Sequence, residues 1–202
     1  MTLDKRRLYA VAAISVVVVI LALLYAFVFT NDDGDLCLTT VLNIDSVENE
    51  ANDRIADMDV TNPDDFTYAK AKASKEQYIT ALSLMNSSGR GCMSDADYRN
   101  RVRSLELKYG YLDLLLRFHD EQKNVSTLLY QSYPNFQDSL KKSLENFEGM
   151  KNEVKVLQVM YGDVDESLLS PGNQDILTVI NDYLNSLLSD INVYISSLSV
   201  YR

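Results

Sequence analysis

Two cysteines, one histidine and two aspartate-rich turns are the side chains of this sequence best equipped for chemistry. Cys37 and Cys92 allow a single intramolecular pairing, and a disulfide persists where the compartment is oxidising. The alternative is a buried small hydrophobe at Cys37, on the apolar stripe of its helix, with a free thiol at Cys92 in the turn "GRGCMS". The single histidine, His119, lies one turn after Leu116 and beside Asp120 and Glu121. A metal or catalytic role needs partners, and there is no second histidine and no cysteine in ligand spacing, so His119 reads as a core or boundary residue. "DMDVTNPDD" gathers Asp57, Asp59, Asp64 and Asp65, hard oxygen ligands of the kind calcium takes. A calcium loop needs glycine at its sixth position and glutamate at its twelfth, where this stretch has Asn62 and Tyr68. Helix capping accounts for these acids, and "YGDVDES" is no closer to a calcium loop.

Zinc-protease, haem-attachment, phosphate-loop and nucleophile-elbow motifs are all missing. The expectation is therefore no catalytic, cofactor-binding or metal-binding residue, no cofactor and no enzymatic activity. "NSS" at Asn86 and "NVS" at Asn124 match the N-glycosylation acceptor pattern, which has meaning only outside the cytoplasm. Asn86, at a helix end beside a glycine turn, is the better placed.

The first thirty residues bear on that compartment. After the basic leader 1–7, residues 8–30 carry no charge and span roughly 34 Å as a helix, enough for a bilayer core of about 30 Å. The run is longer than a signal-peptide core and ends in "YAFVFT", a poor cleavage site, so an uncleaved signal-anchor helix is expected. Lys5, Arg6 and Arg7 on one side, with Asp32, Asp33 and Asp35 in the acidic linker 31–35, put the N-terminus in the cytoplasm and residues 36–202 outside.

Residues 36–202 read as all-α, an extracytoplasmic antiparallel bundle of about five helices. The first helix is expected from Leu36 to Met58, with Cys37, Val41, Ile44, Ala51 and Ile55 inward. Asn62 as N-cap and Pro63 at the first position open the second, whose face would be Phe66, Ala69, Ala73, Tyr78, Ala81 and Met85. Ser94, with Asp97 three residues on, starts a third and longer helix, running to about Tyr130, with Gly110 as a bend. Its stripe is Tyr98, Val102, Leu105, Tyr109, Leu112, Leu116 and His119. Pro134 opens the fourth helix, with inward positions from Phe136 to Tyr161. Gly162 closes it, and Asn173 is expected to cap the last helix. There Leu177, Ile180, Leu184, Leu187, Ile191, Tyr194 and Leu198 form an unbroken heptad seam, to be buried in the bundle or against a partner. The third helix either belongs to one bundle or is shared between two.

With 19 Lys and Arg against 29 Asp and Glu, and three of the cations in the leader, the bundle is acidic and has no long-range attraction for nucleic acid. Thirteen tyrosines and no tryptophan suit either partner anchors or bundle boundaries. The expectation that follows is a single-pass surface protein whose helical bundle binds another protein as an interaction or scaffold subunit. A membrane helix leading into an external bundle also resembles the sensory domains of chemoreceptors, which implies small ligands held between helices. That resemblance is of architecture alone. Such receptors return through the membrane to an output domain, whereas this sequence closes outside at "SSLSVYR", so a signal would pass through a partner.

Overall fold

The computed structural model describes residues 34–59, 64–128 and 136–201. The anchor at 8–30, the leader, residues 31–33 of the linker, Asn62, Pro63, Tyr130 and Pro134 lie outside the described residues. No helix among the described residues is long and apolar enough to cross a membrane. These residues form five helices and no strand: α1 (34–56), α2 (Asp65–Leu84), α3 (Asp95–Leu128), α4 (Phe136–Gly162) and α5 (Pro171–Ser199). A π-helical turn, Met85–Gly89, follows α2, and a 3-10 turn, Glu166–Leu168, precedes α5.

Local chemistry sets the helix starts. Asp64, not Asn62, caps α2: its carboxylate accepts the Thr67 N–H at 2.7 Å and the Thr67 hydroxyl at 2.9 Å. Ser94 accepts the Asp97 N–H at 3.1 Å and donates its hydroxyl to the Asp97 carboxylate at 2.6 Å, so the α3 cap closes as the spacing predicts. The last helix departs from expectation. Ser170 is its N-cap, Pro171 follows at the start, and the Ser170 carbonyl accepts the N–H groups of Asn173 and Gln174. Asn173 is thus inside the first turn, and its side chain is buried for another purpose.

α1, α3 and α5 run in one direction, α2 and α4 in the other. Residues paired across the helices show this: Lys75 with Asp113, Arg117 with Glu153, Asn52 with Asn173. α3 is central, packed on α2, α4 and α5 and joined to α1 through Glu48, so it buries Leu105, Leu107, Leu112 and Leu114 on several sides at once. Its predicted stripe follows one flank of a helix that has no outward half along its middle. α2 accompanies α3 from Lys75–Asp113 to Asp65–Lys123, and one contiguous buried cluster draws on all five helices. The arrangement is one bundle, and α3 is not divided between two.

Two glycines permit close approach. α3 continues through Gly110, where a Cβ would stand 2.7 Å from Leu157 Cδ2 of α4, so this residue admits a neighbour where a bend was expected. Gly89 lies against Met85 and Ile44, bringing the turn after α2 onto α1. The α5 seam is buried within the chain at Leu177, Ile180, Leu184, Leu187, Ile191 and Leu198, with Tyr194 half-buried against Phe147 and Phe118.

The predicted face of α2 is out of phase in its first half. Phe66 is 67% exposed, lying under the Lys70 ammonium, and the buried line is Thr67, Ala71, Ser74, Tyr78 and Ala81. Small residues surround α2 on most sides, so apolar periodicity does not set its phase. Polar contacts to α1 do: Ser74 donates to the Ala51 carbonyl at 3.2 Å and Tyr78 to Asn52 at 2.7 Å.

Candidate functional site

Four helices meet at a buried cluster of charge. Lys108 of α3 is 0% exposed and Glu48 of α1 is 1% exposed, and their ammonium and carboxylate are 2.6 Å apart. The second Glu48 oxygen accepts from Arg101 at 2.8 Å, and Arg101 also pairs with Asp45. Lys108 donates to the Asn173 side-chain oxygen at 2.6 Å, and that oxygen also accepts from Asn52 at 2.7 Å. Asn52 in turn accepts from Tyr78, whose ring lies 5.7 Å from the Lys108 nitrogen. Two acids and two bases balance, and every one of these groups has a partner in the chain. Two neighbouring polar atoms, Arg101 Nε and Ser104 Oγ, are buried with no hydrogen-bond partner among the described residues.

Burial raises the Glu48 carboxyl, but the nearby Lys108 and Arg101 charges outweigh it and hold Glu48 below the usual carboxylate range. Burial draws the Lys108 ammonium below the usual lysine range against the pull of Glu48. Such a cluster is suited to fixing helix register. A buried charge without its partner is costly, so a slipped packing is penalised. None of Glu48, Asn52, Lys108 and Asn173 stands out as a site in the sequence, although one signal is present. The α1 stripe jumps seven residues from Ile44 to Ala51, and Glu48 fills the inward position skipped.

A second feature lies further along the bundle. α1 packs in the groove between α2, α3 and α5, touching all three through Asn52, Ser74 and Glu48. It ends while those helices continue. Beyond its end the groove becomes a crevice of about 250 Å³ walled by Tyr68, Tyr111, Phe118, Tyr183 and Tyr194, with Asp190 on α5 also in its lining. Tyr183 marks the junction, donating to the Met58 carbonyl at 3.4 Å. Burial, with Tyr194 and Asp190 nearby, raises the Tyr68 phenol. Burial and the neighbouring Tyr183 and Tyr68 raise that of Tyr111, so both stay neutral.

The residues singled out from sequence fall as follows. Cys37 and Cys92 form a disulfide with Cα atoms 5.0 Å apart, at the end of the bundle where α1 and α3 both begin. His119 is half-buried and stacks on Tyr68 with ring centroids 3.3 Å apart. Burial, then the Lys123 charge, lowers its imidazole below the usual histidine range. Asp64 is a cap, and Asp57 takes the Lys70 ammonium at 3.4 Å. No group of three or more potential metal ligands occurs among the described residues. Asn86 is exposed in the π-helical turn, accepting from the Tyr98 hydroxyl at 3.0 Å, and Asn124 is exposed on α3. No known family, no curated protein and no solved structure matches the chain.

Proposed function

We propose that the protein is a non-enzymatic, single-pass membrane protein that displays residues 36–202 outside the cell as a helical bundle for binding another protein. Residues 8–30 would hold it in the membrane with the N-terminus cytoplasmic. The observation that carries this reading is on α1, the helix nearest that segment. Leu38 and Leu42 are 60% and 56% exposed on α1, with Leu38 about four turns before Asn52 on the flank that meets α5. α5 begins only at Pro171, whose neighbour Asn173 is level with Lys108, so no helix among the described residues covers these leucines. The heptad seam is used inside the bundle, so the exposed leucines of α1, nearest the proposed anchor, support a partner-binding reading.

A photocrosslinking residue at position 38 or 42, in native membranes, tests the proposal. The expected result is a discrete protein adduct that disappears when the other leucine is changed to Asp. Labelling of lipid alone would sink it. A second reading, a ligand-sensing bundle that signals through a partner, is favoured by the aromatic crevice beyond the end of α1.

A further inference from the structure

We infer that the crevice between α2, α3 and α5 binds a small organic cation, an alkylammonium compound carrying a hydroxyl or carbonyl oxygen. The inference rests on the crevice that favours the sensing reading, and adds the chemistry of its occupant. Four tyrosines and Phe118 supply ring surface, whose negative quadrupole attracts a cation most strongly where water is displaced. One face of Tyr68 is already occupied by His119, so the ring is held in place without using a charged neighbour. Phe118 meets the Tyr194 ring edge-on at 5.7 Å, and Tyr194 is braced from behind by Phe147 at 5.1 Å, so these walls are preformed.

Charge selects the sign of the ligand. Asp190 contributes a carboxylate to the lining, no Lys or Arg lines the crevice, and the chain's net charge of −10 attracts cations at long range. Tyr111 selects for an oxygen. It is 1% exposed, it lines the crevice, and its hydroxyl has no hydrogen-bond partner among the described residues. That hydroxyl opens onto the crevice and can donate to a ligand oxygen. A volume of about 250 Å³ suits a compound of choline size.

The test uses the full chain in lipid nanodiscs with isotope-labelled tyrosines, titrated with choline, tetramethylammonium and the uncharged choline isostere 3,3-dimethylbutan-1-ol. Both cations are expected to give saturable shifts of a subset of tyrosine resonances, with choline the tighter because it offers Tyr111 an oxygen. The isostere should bind at least about tenfold more weakly. Asp190→Asn should weaken choline about fivefold or more, while Asp182→Asn, elsewhere on α5, should leave it unchanged. Equal binding of the isostere, or no saturable shift with either cation, overturns the inference. If an anion or neutral solute of similar size shifts the same tyrosines instead, the cation is refuted and the sensing reading survives. If no solute shifts them, both fail.

Discussion

Glu48 and Lys108 lie on different helices, and each is tolerable in the interior only because the other is there. Changing Glu48 to Gln leaves Lys108 without a carboxylate and Arg101 with Asp45 alone, and is expected to cost about 3 to 5 kcal/mol. Adding Lys108→Met removes the stranded ammonium and leaves Arg101–Asp45 intact, so the double variant should be more stable than Glu48→Gln alone. Denaturant melts of the two single variants and the double variant decide this; simple additivity would show that the pair is uncoupled. The pH dependence has a definite sign. Because the folded-state pKa of Glu48 lies below its ordinary value of 4.5, its contribution is complete above pH 4.5 and is lost as pH falls through the folded value. The wild type should therefore lose stability more steeply than Glu48→Gln in that acid range. At this scale the sequence is least legible. Apolar periodicity marks where a charge sits in the inward phase, as at Glu48, but only the partner helix shows that the charge is satisfied.

Helices differ in how plainly they declare their faces. α5 is legible because its seam alternates steps of three and four with no polar interruption, and the packed structure buries it where the spacing puts it. Leu184→Ala and Leu187→Ala should each cost about 2 to 5 kcal/mol, read from denaturant midpoints; unchanged midpoints for both would mean that the seam contributes nothing to the fold. α2 is not legible, since alanines, serines and threonines offer several equivalent faces, and hydrogen bonds to α1 choose among them. Gly110 falls between these cases. The residue type announces an exception, but whether it bends α3 or admits a neighbour depends on α4. With Leu157 lying where a side chain would go, Gly110→Val should cost about 1 to 3 kcal/mol by overpacking, and Leu157→Ala should recover part of the loss. If Leu157→Ala instead adds its full cost to that of Gly110→Val, the two residues do not compete for the same space.

The whole molecule is closed at one end by covalent chemistry and at its centre by charge. The pairing of Cys37 with Cys92 is legible from topology, because odd-numbered helices of an up-down bundle begin at the same end, and these cysteines stand at the starts of α1 and α3. The crevice beyond the end of α1 is not legible, since it arises from α1 stopping short of its neighbours, a relation of lengths in three dimensions. The bridge joins residues 55 apart, and its removal should restore about 4 kcal/mol of unfolded-chain entropy. Reductant should therefore lower the melting temperature of the wild type and leave that of a Cys37→Ser/Cys92→Ser variant unmoved. Loss should begin locally, because α1 is tied near its base by the disulfide and is next held, two to three turns further on, by the buried Ile44 and the Asp45–Arg101 and Glu48–Lys108 contacts. Hydrogen exchange after reduction should accelerate first in residues 36–44, before the amides around Leu184. Uniform acceleration throughout the bundle would instead place the effect wholly on the unfolded chain. Thiol labelling of unreduced, denatured protein from native membranes joins this to location: no reactive thiol is expected, and two would refute both the bridge and the oxidising compartment that the proposed topology requires.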